Sequence, residues 1–98
     1  MFVERIRQLR KKQKLPQRKL AENLDVDSAT YCKLEKSERK FKREQVIAIA
    51  KLLQTDEREL LTLWLTDQIT AVIEDEKELA PKVMELAQNN ISNSNNPK

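Results

Sequence analysis

Apolar residues recur along this chain at intervals of three and four, the spacing that lines one face of a helix. Phe2, Ile6 and Leu9 form the first stripe, with Arg5, Arg7, Lys11, Lys12 and Lys14 around it. Pro16 disfavours a helical Leu15, so this helix is expected to end near Lys14. Pro16 then suits the N-cap or first turn of a second helix over 17–24, which buries Leu20, Ala21 and Leu24. Asp25, Val26 and Asp27 make a short break. Asp27 is a good N-cap for a third helix from Ser28 to about Lys36, with Tyr31 and Leu34 facing inward.

The stretch from Ser37 to Phe41 reads as polar and irregular. A fourth helix over about 43–53 buries Val46, Ile49, Ala50 and Leu53. Thr55 or Asp56 caps a fifth, with Glu57 and Glu59 near its positive end. Leu60, Leu61, Trp64, Leu65, Ile69, Val72 and Ile73 hold helical spacing to about Glu74, where Glu74, Asp75, Glu76 and Glu78 break it. Pro81 fits the first turn of a sixth helix carrying Val83, Met84, Leu86 and Ala87. Residues 89–98 are rich in Asn and Ser and are expected to be disordered. No strand and no internal repeat is evident.

Two short helices across a three-residue break cross steeply, so the second can project into a groove. Ala21 permits a close crossing and Val26 plugs the turn. Here the chain resembles the phage Cro and repressor-type (Xre-like) helix-turn-helix family. The resemblance runs from Ile6 to Leu61. Leu9-Arg10, Leu15, Gln17, Leu20-Ala21, Leu24, Val26 and Leu34-Glu35 carry it, followed by Ile49-Ala50, Leu53 and Glu59-Leu60. It implies an all-α, lambda-repressor-like domain of five helices, here with an extended fifth helix and a C-terminal sixth. The expected division is a DNA-binding domain over 1–61, a helical extension for dimerisation over 62–88 and a tail over 89–98. The family often has Gly where this chain has Asp25 and Ser37, and Ser or Thr where it has Pro16. Asp25 tolerates a left-handed backbone; Ser37 suggests a different exit from the third helix.

The outward residues of the third helix are Ser28, Ala29, Thr30, Cys32, Lys33 and Lys36. By resemblance, Ser28, Ala29 and Lys33 lie where the family contacts base edges, and Thr30 and Cys32 join them. Ser suits either base type, Ala and the Thr methyl suit a thymine methyl, and Lys reaches guanine O6 and N7. Expected phosphate contacts are Gln17, through its amide or the helix N-terminus, and Arg18, Lys36, Arg39, Lys40, Lys42 and Arg43. The resemblance further implies a structural ion pair between Arg10 and Glu35. Leu61, Trp64, Leu65, Ile69, Val72 and Ile73 offer more apolar area than one small domain needs, and are expected to form a homodimer interface with Trp64 as anchor.

Composition narrows the classes. The 98 residues contain no Gly, no His and one Cys. Gly-rich phosphate loops and dinucleotide folds are thereby excluded, as are the common zinc ligand sets. No disulfide can form within one chain, and a lone Cys without a signal peptide fits the cytoplasm. Apolar runs are too short to span a membrane. The net charge of +3 hides an asymmetry: residues 1–45 hold 14 Lys/Arg against 7 Asp/Glu, and residues 46–98 hold 5 against 9. The basic half suits a polyanion. Without His or a nucleophile–base arrangement an enzyme is not expected, and neither is a cofactor, a metal or a small-molecule ligand. The reading is a homodimeric, sequence-specific repressor that binds double-stranded DNA at an inverted repeat. The competing reading is an antitoxin-like or partner-binding interaction module whose DNA binding is weak or lost.

Overall fold

The computed structural model describes residues 1–94. Six helices and no strand are found among them: α1 (Phe2–Lys12), α2 (Gln17–Leu24), α3 (Ser28–Glu35), α4 (Arg43–Leu53), α5 (Glu57–Ile73) and α6 (Ala80–Ser94). Met1–Asp67 form one compact unit, and a second begins at Gln68, within α5.

The first unit closes around a continuous core. Ile6, Leu20, Tyr31, Val46, Ile49 and Leu60 are fully shielded, with Phe2, Leu34 and Leu53 nearly so. Each fully buried large aliphatic side chain stabilises the fold by about 1.5–3 kcal/mol. Phe41, alone in a polar stretch, is also buried. Its ring meets Phe2 edge-on at 5.0 Å and Tyr31 at 6.4 Å. The connection from α3 to α4 is therefore pinned to the core at its end. The indole N–H of Trp64 donates to the Phe41 carbonyl at 3.1 Å. Trp64 and Leu61 are half-buried and pack against this same core.

Helix ends follow one device. Lys14, Asp25, Ser37 and Gln54 all take left-handed backbone, with φ between 56° and 65°. At each, two backbone bonds close the preceding helix. Asp25 N–H donates to Glu22 O and Val26 N–H to Ala21 O, and the pattern repeats at Lys14 and Leu15, Ser37 and Glu38, and Gln54 and Thr55. This is the Schellman arrangement, which usually places Gly at the left-handed residue. A glycine-free chain forms it four times with a side chain present, at a cost of roughly 1–2 kcal/mol per site. Asp25 behaves as its residue type suggests. Ser37 does not take a different exit; it adopts the usual left-handed one, because the bonds from Ser37 to Leu34 O and from Glu38 to Lys33 O satisfy the last carbonyls of α3.

Other local expectations hold or shift slightly. Asp27 caps α3 by accepting from Thr30 N–H at 2.7 Å. Asp56, not Thr55, caps α5 through Arg58 N–H at 3.0 Å. Gln13 Nε2 donates to Leu53 O at 2.7 Å and so closes the end of α4 from another helix. The N-terminus of α1 is capped from a distance, by the Asp67 carboxylate accepting from Phe2 N–H at 2.9 Å.

In the second unit, the end of α5 and α6 form a helical hairpin. Glu76 N–H to Ile73 O and Ala80 N–H to Glu76 O tighten the acidic connection between them. The expected disordered tail from Asn89 is corrected in part, because α6 continues to Ser94. Its apolar spacing from Val83 and Ala87 runs on to Ile91, so the periodicity outlasts the change in composition. The rest of that tail, 95–98, lies outside the described residues. No helix among the described residues is long and apolar enough to cross a membrane.

Candidate nucleic-acid interface

The break between α2 and α3 is three residues long and each has a task. Asp25 reverses the chain, half-buried Val26 packs on the core, and Asp27 caps the next helix. The Thr30 hydrogen bond holds the Asp27 carboxyl below the usual carboxylate range, with the Lys33 and Arg39 charges adding to it.

α3 then has two faces. Tyr31, Leu34 and Glu35 are buried. Ser28, Ala29, Lys33 and Lys36 are exposed, and Thr30 and Cys32 lie half-buried on the flanks. Of the expected base-contacting set, Ala29 and Lys33 stand farthest from the buried side, and Ser28 is exposed in the first turn. The side chains opposite the core are thus small or cationic.

What aims α3 is a polar cluster around one buried carboxylate. Glu35 accepts from Arg10 at both oxygens, Nε at 3.0 Å and Nη2 at 3.1 Å. It also accepts from the Tyr31 hydroxyl at 2.6 Å and from Gln17 Nε2 at 2.9 Å. Arg7 Nη2 donates to the Glu35 backbone oxygen at 2.8 Å, and Arg10 Nη1 to Leu15 O at 3.1 Å. Side chains from α1, α2 and α3 therefore converge on the last residue of α3. Burial would push the Glu35 carboxyl up, but the hydrogen bonds from Tyr31, Arg10 and Gln17 outweigh it and hold the group below its usual range. Burial first, and then the Glu35 bond and charge, push the Tyr31 phenol far up.

The sequence pointed to Arg10 and Glu35 by resemblance. It missed Arg7 and Tyr31, although each has a signal: Arg7 lies one turn before Arg10, and Tyr31 one turn before Glu35. Gln17, expected at a phosphate, spends one amide hydrogen on Glu35. Its second amide hydrogen and the unpaired N–H groups at the start of α2 remain for a phosphate.

The other expected phosphate contacts are all exposed: Arg18, Lys36, Arg39, Lys40, Lys42 and Arg43. Arg18 lies 3.9 Å from Glu22, a weak surface pair. Five of the six fall within residues 36–43, around the connection that Phe41 anchors. The expected dimer residues separate into two groups. Leu61 and Trp64 are half-buried against the core of their own unit, with the Trp64 indole N–H bonded to the Phe41 carbonyl. Leu65, Ile69 and Val72 are exposed and Ile73 is half-buried.

Comparison with known families supplies an independent finding. The profile of the helix-turn-helix family of Xre/lambda-repressor-like domains matches residues 6–60, more than half of the chain. No curated protein and no solved structure matches at a significant level. The matched span contains α2, the three-residue break, α3 and every side chain on Glu35. The chain belongs to the Xre/lambda-repressor-like helix-turn-helix family, a family of DNA-binding regulators of transcription.

Proposed function

We propose that this protein is a homodimeric, sequence-specific repressor that acts in the cytoplasm and reads an inverted repeat in double-stranded DNA. In this reading α3 enters the major groove. Lys33 reaches guanine O6 and N7, Ser28 bonds either base type, and Ala29 with the Thr30 methyl meets thymine methyls. Cys32 lines the edge of the contact. Gln17, Arg18, Lys36, Arg39, Lys40, Lys42 and Arg43 hold phosphates and fix the register. No catalytic step and no cofactor enter the account.

The observation that carries it is the division of α3. Its buried side is fixed by the Glu35 cluster, and its opposite side presents Ala29, Lys33 and Lys36 to solvent. A helix so held makes a rigid reading head, and the basic residues at 36–43 lie beside it in the chain. Without Arg, Asn or Gln on its outer face, α3 makes few two-pronged base contacts. Specificity per half-site is accordingly modest, and two half-sites about 34–36 Å apart supply the rest.

The test is selection of duplexes from a random pool at about 150 mM salt, where nonspecific phosphate binding is suppressed. The expected result is an enriched inverted repeat with half-sites one helical turn apart. A pool that stays random would refute the reading.

A further inference from the structure

The second unit does not bury its own apolar surface. Among the described residues, no side chain from Gln68 to Asn93 is buried. A helix of α6's length is marginal in water on its own propensity, and helices in proteins are held mainly by packing of their apolar face. Between α5 and α6 runs an open groove of about 560 Å³, lined by Ile69, Val72, Ile73, Val83, Met84 and Ile91, with Ala87, Gln88 and Ser92. None of these residues is charged.

We infer that this groove is filled by α6 of a second copy of the chain, so that two hairpins close into a four-helix bundle. The inference rests on the homodimeric reading above and assigns its interface. Area supports it. Seven large aliphatic side chains of the hairpin, from Ile69 to Ile91, are between 41% and 78% exposed. The five of them that line the groove, Ile69, Val72, Val83, Met84 and Ile91, offer roughly 500 Å² per chain, or ~1,000 Å² across a pair, the size at which a specific interface begins. Charge supports self-association over a charged partner. The groove is neutral, and Lys82 on α6 already pairs with Glu85 at 3.3 Å. The connection between the helices holds four carboxylates, Glu74, Asp75, Glu76 and Glu78, against one Lys77. Repulsion between two such tips sets them at opposite ends of the bundle, so the hairpins run antiparallel. A four-helix bundle is the smallest closed arrangement in which both hairpins hide their apolar faces.

Sedimentation equilibrium of the full chain without DNA tests this. The wild type should sediment at twice the 11.5 kDa chain mass. Met84→Glu places a carboxylate in the groove and should weaken the dimer about a hundredfold, as expected at an interface core. Gln88→Leu replaces the amide with an apolar group and should tighten it about tenfold. Trp64 lies in the other unit, so unchanged Trp emission shows that each variant remains folded there. A monomeric wild type would overturn the inference and give the groove to another occupant. So would a Met84→Glu dimer of wild-type strength, or a Gln88→Leu dimer weaker than wild type. A dimer that selects no duplex leaves this interface standing and removes the regulatory reading; a monomer that selects one does the reverse.

Discussion

The two units carry the same kind of apolar periodicity and use it in opposite ways. In Met1–Asp67, the stripes of α1 to α5 meet one another, and Ile6, Leu20, Val46, Ile49 and Leu60 are fully shielded. From Gln68 on, Val72 in α5 and Leu86 and Ile91 in α6 lie on helices and stay at least half exposed. Periodicity specifies a helix with an apolar face; it does not say whether the partner of that face lies in the same chain. The first unit answers in cis. It also holds its one buried carboxylate, Glu35, with bonds from Arg10, Gln17 and Tyr31.

The sharpest way to break the contrast is to attack the Glu35 cluster. Arg10→Ala leaves a buried carboxylate with its main counter-charge gone, which costs about 3–5 kcal/mol. Thermal unfolding followed by Trp64 emission should show a large drop in Tm, and DNA binding should fall with it. An unchanged Tm would remove Arg10 from this role.

Acid should act on the same residue. The Glu35 carboxyl is held below its unfolded value, so its contribution is complete above an unfolded pKa of about 4.3 and is lost as pH falls through the folded value. Urea unfolding of the wild type should therefore weaken on the acid side. Glu35→Gln should start from a lower stability at neutral pH and decline less below pH ~4.3. Parallel acid limbs in the two proteins would contradict this.

Substitutions on the outer face of α3 separate reading from folding. Lys33→Ala should cost about 1–3 kcal/mol of discrimination at one base pair while the free energy of unfolding stays within about 0.5 kcal/mol of wild type. Competition binding with single-base variants of the selected duplex measures it. Equal loss across all base variants would place Lys33 on a phosphate instead.

The smallest effect concerns the left-handed helix ends. Ser37→Gly and Gln54→Gly relieve the side-chain penalty at φ 65° and 56°, partly offset by the greater freedom of Gly in the unfolded chain. Each should stabilise the first unit by about 0.5–1 kcal/mol, read from urea midpoints. A loss of stability would mean that these side chains make contacts that outweigh the strain.

Much of this was legible in the sequence because it is local. The ranges of α2 and α4, the Asp27 cap and the break at Asp25–Asp27 depend on residues within a few positions of each other. What escaped is long-range. Phe41 belongs to no periodic stripe, so its burial against Phe2 and Tyr31 has no one-dimensional signature. Trp64 reads as surplus apolar area because its hydrogen-bond acceptor lies 23 positions away. The Gln17 amide looks free until α3 brings Glu35 to it. The end of α6 was hidden by composition, since Asn and Ser outnumber the one residue, Ile91, that continues the stripe. At Ser37 residue type suggested a different exit, but the bonds of the Schellman turn decide the backbone there.

In the proposed function, everything turns on the exposed side of α3 binding DNA. Titrating the selected duplex with the Lys33→Glu, Lys36→Glu double variant tests it most directly. Specific binding should be lost, with Trp64 emission and sedimentation mass as in the wild type. A double variant that binds the duplex with wild-type affinity would contradict it.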